Sequence, residues 1–190
     1  MNDKYIRKII YEANQLYRKY DLDKNIITVA LDIAVRYIKK AIPSEPREKN
    51  VLYCSAYFIA IRHPFSYPSQ ITRDGFADQF NIKTTSLDWY INRILTDLSF
   101  IRIHDLQTIP YFIDPTSLIF TVTTSIIHSN LSESLINAVL TQKIPDVNIL
   151  VDKILGVLID RLKILPNVFK RSLRGLVLET IRGGIKDLRL

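Results

Sequence analysis

Val51-Leu52-Tyr53-Cys54-Ser55-Ala56-Tyr57-Phe58-Ile59-Ala60-Ile61 contains no charged residue. A helix that is apolar on every side has no stripe to offer water, so other helices must enclose it. A buried strand is the competing reading, but the run is long for a strand. Ala56 and Ala60 also stand one helical turn apart, where small side chains let a neighbour approach closely. The segment is therefore expected to be the central helix of a bundle. Arg62 and His63 close it, and Pro64 and Pro68 bound a loop behind it.

Upstream, Ile6, Ile9, Ile10, Ala13, Leu16, Tyr17 and Tyr20 recur at three- and four-residue spacing, the mark of one buried helical stripe. Asp21-Leu22-Asp23 breaks that helix and offers a cap to the next. The second helix carries Ile26, Ile27, Ala30, Leu31, Ala34 and Ile38. Lys39 and Lys40 suit its negative end, and Pro43 with Pro46 is expected to end it. Downstream, Phe76-Ala77-Asp78-Gln79-Phe80-Asn81-Ile82 runs into Leu87-Asp88-Trp89-Tyr90-Ile91-Asn92-Arg93 with the spacing of a helix-turn-helix. Ala77 is the small residue of the first helix, and Asn81, four residues on, tolerates a left-handed turn. Ile82, Leu87 and Tyr90 then fall where the second helix must pack back on the first. Five helices are thus expected within residues 1–101.

The second half is expected to be a helical domain over residues 112–190, after an irregular linker at 102–111. Its predicted helices are 118–128, 132–142 with Ser132 as cap and Pro145 beyond, 149–165, and 167–181. Gly183-Gly184 is expected to stop the last. The β-branched run at 120–124 leaves a strand open as an alternative to the first of them. The fold class expected for the whole chain is all-α.

The chain has 190 residues, 47% hydrophobic and 24% charged, which describes a globular protein of one large or two small domains. Its apolar runs are about half the length needed to cross a bilayer. The opening Met1-Asn2-Asp3-Lys4 lacks the apolar core of a secretory signal, so a cytoplasmic protein with no membrane partner is expected. A single cysteine excludes an internal disulfide and a cysteine-rich zinc module. His63, His104 and His128 have no metal-ligand spacing, and no P-loop or GxSxG occurs. No catalytic residue, metal site, cofactor or small-molecule substrate is inferred.

The net charge of +7 is unevenly spread. Residues 1–50 hold 11 basic and 7 acidic groups, 51–100 hold 4 of each, 101–150 hold 2 and 4, and 151–190 hold 9 and 4. A basic excess favours anionic partners such as nucleic acid, but it is also common on proteins that bind none.

Ala30 and Tyr37 on the second helix, Ala56-Tyr57-x-x-Ala60-x-Arg62 on the third, then Phe76-Ala77, Leu87 and Tyr90-x-x-Arg93-x-Leu95, form a set that resembles the cyclin fold. More narrowly, it is similar to the first cyclin repeat of the archaeal and eukaryotic transcription initiation factor B family, over roughly residues 4–100. The resemblance implies a cyclin-like five-helix bundle, with residues 112–190 as a second helical domain or a degenerate second repeat. It also implies a transcription-associated binding protein that contacts double-stranded DNA, or a promoter-bound protein such as the TATA-binding protein, and is nucleoid-associated if it binds DNA. The chain departs from the family in lacking the paired cysteines of the zinc ribbon, in having Asn81 where glycine is usual, and in having Pro46-Arg47-Glu48-Lys49-Asn50 where Gly-Arg usually precedes the third helix. The absent ribbon points to a modulator, or a divergent viral or accessory form, not a complete initiation factor.

The residues expected to meet DNA follow from the face of the second helix-turn-helix helix, Thr84–Asp97. Thr85, Asn92 and Arg93 can hydrogen-bond base edges and Lys83 can hold a phosphate, whereas Asp88 and Asp97 repel phosphates. Lys170, Arg171 and Arg174 share one helix side by their spacing and form a second candidate phosphate contact. The plain alternatives are a helix pair that only completes the bundle and a solvated basic face. A further alternative is a cyclin-type adaptor that binds protein alone, with Trp89 on the contact surface.

Overall fold

A computed structural model describes residues 3–41, 48–69, 71–107, 109–143 and 146–187, and the side chains of all of these but 41 and 184–187. The chain divides into two compact units, Met1–Ile101 and Arg102–Leu190. The architecture is predominantly helical, with one two-stranded sheet among the described residues.

The first unit is built from α1 (Asp3–Lys19), α2 (Lys24–Ala41), α3 (Lys49–Ile61), α4 (Arg73–Gln79) and α5 (Thr84–Asp97). Every residue from Val51 to Ile61 is buried, so the uncharged run is a helix and it is enclosed. It packs on α1, α2 and α5, and Phe58 meets Phe76 of α4 edge-on at 5.1 Å. Ala30 and Ala34 of α2, with Ala56 of α3, have no exposed surface, which is what close helix approach requires. Two hydroxyls inside are bonded to main-chain carbonyls. The Tyr17 hydroxyl donates to the Tyr53 carbonyl at 2.9 Å, and the Ser55 hydroxyl donates to the Val51 carbonyl at 2.8 Å. Between α1 and α2, Asp21 is left-handed with φ 48°. Asp23 accepts from the amides of Asn25 and Ile26 at 2.8 and 3.1 Å, capping α2 as expected. Pro43 and Pro46 lie outside the described residues.

The second unit departs further from expectation. The stretch expected as an irregular linker instead forms a hairpin, β1 (Ile101–His104) with β2 (Pro110–Ile113), so the chain is not purely all-α. Ile103, Tyr111, Phe112 and Ile113 are buried along it. Asp105 shapes its turn by accepting from the amides of Gln107 and Ile109 at 2.8 and 3.0 Å. Residues 118–128 and 132–142 are one helix, α6 (Leu118–Thr141), capped by Ser117 and not by Ser132. Nothing between 128 and 132 breaks it. Asn130 donates its side-chain amide back to the Ile126 carbonyl at 2.9 Å, within the helix. The β-branched run is helical too, with Thr121 and Thr124 bonding the carbonyls one turn back.

The expected helix 149–165 is α7 (Val147–Leu155) running into a π-helical segment, Gly156–Arg161. There the Leu162 amide reaches back to the Val157 carbonyl at 3.0 Å. The last helix, α8 (Lys170–Asp187), follows a 3₁₀ turn at Asn167–Phe169. It passes through Gly183-Gly184 instead of stopping there, because neither glycine takes the left-handed conformation that ends a helix. Ser172 joins α8 to β1 by accepting from the His104 amide at 2.9 Å and donating to its carbonyl at 3.1 Å.

Candidate nucleic-acid interface

The helix-turn-helix is assembled from local chemistry. Thr72 caps α4 by accepting from the Gly75 amide at 3.1 Å. Phe76 and Ala77 are buried, and Phe76 meets Phe80 at a tilt, 4.5 Å between ring centres. The chain then turns at Asn81, whose φ of 50° is left-handed. The turn closes as the Ile82 amide bonds the Ala77 carbonyl at 3.0 Å. Leu87, Tyr90, Ile91, Ile94 and Leu95 bury one side of α5, anchoring it against the rest of the unit.

The opposite side of α5 is where the expected site lies. Thr85, Asn92, Arg93 and Trp89 are all exposed, Trp89 by 58%. Lys83 is exposed just before α5, gives that helix no side-chain cap, and has no ion-pair partner among the described residues. The other charges of this surface are already engaged. Arg93 pairs with Asp97 at 3.1 Å, and Arg73 of α4 pairs with Asp88 at 2.8 Å. The two acids counted against DNA are therefore each neutralised by an arginine, one of them on the neighbouring helix. The Arg73–Asp88 pair was not legible in the sequence, since its members stand far apart in the chain. It bridges α4 to α5.

In the second unit, Lys170 and Arg171 are exposed at the start of α8. Arg174 is not grouped with them as an available cation: it pairs with Asp152 of α7 and donates to the Asn148 side chain at 3.3 Å. The proposed basic trio is thus two exposed charges and one interhelical brace.

Arg62 has a role that the sequence only hinted at by its position after an uncharged helix. It is 3% exposed, lies over the Phe58 ring at 5.5 Å, and donates to the carbonyls of Ser69, at 3.4 Å, and Ile71. It thereby ties the segment leading into α4 to the end of α3. Cys54 is 1% exposed, and loss of solvent pushes its thiol up to about 12, so it is a neutral packing group and not a nucleophile. A cavity of about 280 Å³ in the second unit, between α6 and α8, is lined by Ile113, Phe120, Thr123, Thr124, Ile127, Leu176 and Thr180 and holds no titratable group.

The chain matches no protein-family model and no curated protein.

Proposed function

We propose that the protein is a transcription-associated binding protein of the initiation factor B type, without a zinc ribbon, that contacts double-stranded DNA through α5. In this reading the first unit is a cyclin-like bundle, supported by its five helices, of which the third is enclosed by the others. The observation that carries the DNA reading is the left-handed Asn81 joining α4 to a helix whose outer side presents Lys83, Thr85, Trp89, Asn92 and Arg93. A helix so placed enters a major groove with its first turn leading. Its first amides, unclaimed by the Lys83 side chain, face the phosphates beside that lysine. Thr85 and Asn92 supply neutral donors and acceptors for base edges, while Arg93, held by Asp97 at 3.1 Å, stands beside them as a positioned guanidinium.

Duplex binding followed by fluorescence anisotropy across a salt series tests this. Affinity should fall steeply with salt, and Lys83→Glu should weaken binding to all sequences and flatten the logarithmic slope by about one unit or more. Asn92→Ala should leave the slope alone and cost about 1–3 kcal/mol on preferred sequences only. Absence of binding at low salt would leave the adaptor reading in its place. That second reading draws on Trp89, an aromatic side chain 58% exposed on a surface whose acids and arginines already pair with one another.

A further inference from the structure

α6 carries a single charged residue, Glu133, yet much of its outer side is open to water. Leu118, Ile136 and Leu140 on that side are 77%, 61% and 76% exposed. At 100° per residue, Leu118, Val122, Ser125, Ser129, Glu133, Ile136 and Leu140 fall within about 80° of arc, one continuous stripe. Their spacing, four, three, four, four, three and four residues, reads the same from either end. The residue types are also matched about the centre: leucine with leucine at the ends, Val122 with Ile136, Ser125 with Glu133, and Ser129 alone in the middle.

We propose that two copies of the protein associate through this stripe, their α6 helices crossing antiparallel with Ser129 on the two-fold axis. A two-fold contact brings residue i of one copy to residue j of the other and j to i. Here that rule sets Leu118 against Leu140 and Val122 against Ile136 at both ends. The Ser125 hydroxyl donates to Oε1 of the Glu133 carboxylate, whose Oε2 is held by Lys153 of α7 at 3.0 Å, once on each side of the axis, and the small serine at the centre lets the helices cross closely.

The occupant is a second copy because the stripe is complementary to itself and because of charge. The chain is +7 overall, but the stripe's one charge, Glu133, is neutralised by Lys153 at 3.0 Å, so two copies meet here without the repulsion that opposes contact through their basic segments. The stripe is about 33 Å long. An interface of this length buries on the order of 1,000 Å² in total, the size of a weak, concentration-dependent dimer. This inference stands independently of DNA binding.

Sedimentation velocity and light scattering over a concentration series of the full chain should show a reversible monomer–dimer equilibrium. Leu140→Glu should raise the dissociation constant about 100-fold, because the change enters twice across the axis. Adding Leu118→Lys to it should restore dimer by opposing the two new charges. Under oxidation Ser129→Cys should give a covalent dimer, and Thr141→Cys, far from the axis, should not; buried Cys54 does not compete. Circular dichroism confirms that each variant is folded. A monomer at every attainable concentration would overturn the proposal. So would equal cross-linking at the two cysteine positions, or a double variant no better than Leu140→Glu alone.

Discussion

At the scale of single residues, the turn between α4 and α5 rests on Asn81 at φ 50°. An L-residue with a Cβ is strained there, asparagine less than most, and glycine not at all. Asn81→Gly should leave stability within a few tenths of a kcal/mol or raise it, and Asn81→Ala should cost about 1 kcal/mol. Urea denaturation midpoints decide this, and an alanine variant as stable as the parent would show that the turn carries no strain. The position was readable because three constraints agree on it: buried Ala77 four residues before, Ile82 after, and the need to reverse the chain between two helices. Arg62 was not readable in the same way. Its partners are backbone carbonyls at Ser69 and Ile71, and a carbonyl has no residue type to betray it. The same holds for Arg73 and Asp88, ordinary surface charges until the fold brings them to 2.8 Å.

At the scale of elements, α3 was the clearest feature of the sequence and α6 the most misleading, for related reasons. An uncharged run admits one environment, full enclosure, so its place follows from composition alone. α6 is nearly uncharged as well but lies half in the open, so its outer side offered no polar stripe from which to read its length. Residues 128–132 then looked like a break, because serine and asparagine favour helix starts over helix interiors. In α8 the paired glycines looked like an ending, but Ile181 just before them has no exposed surface, and packing holds the helix past the point where propensity would release it.

Enclosure of α3 has a further consequence in alkali. Burial raises the Cys54 thiol from 9.0 to about 12 and raises the Tyr17 phenol well above its ordinary 10.0. The unfolded chain sheds these protons first, so the stability they contribute is whole below pH 9.0 and is lost as pH rises toward about 12. Denaturation midpoints should therefore fall over that interval, each group adding up to about 1.4 kcal/mol per pH unit. Cys54→Ala should flatten the fall between the thiol's ordinary value and the phenol's. A midpoint constant with pH would mean that water reaches these groups in the folded state.

At the scale of the whole molecule, the first unit has a core of its own. The Tyr17–Tyr53, Ser55–Leu87 and Phe58–Phe76 contacts all fall within Met1–Ile101. A fragment of residues 1–101 should therefore unfold in one cooperative transition, reported by Trp89, the only tryptophan in the chain. The fragment also separates the two sets of basic residues. Residues 1–100 carry 15 basic and 11 acidic groups, net +4 of the total +7, and Lys170 and Arg171 lie outside them. If α5 and Lys83 hold the duplex, the fragment should keep the salt slope of the full chain to within about one unit. If Lys170 and Arg171 neutralise phosphates as well, the slope should fall by about two on truncation, and the double change Lys170→Glu with Arg171→Glu in the full chain should lower it by at least as much. Arg174→Ala should act differently. Its loss unbraces α7 from α8 and should show in thermal stability and not in the salt slope, because its charge is already spent on Asp152. A fragment that folds and yet releases DNA entirely would move recognition out of the helix-turn-helix and into the second unit.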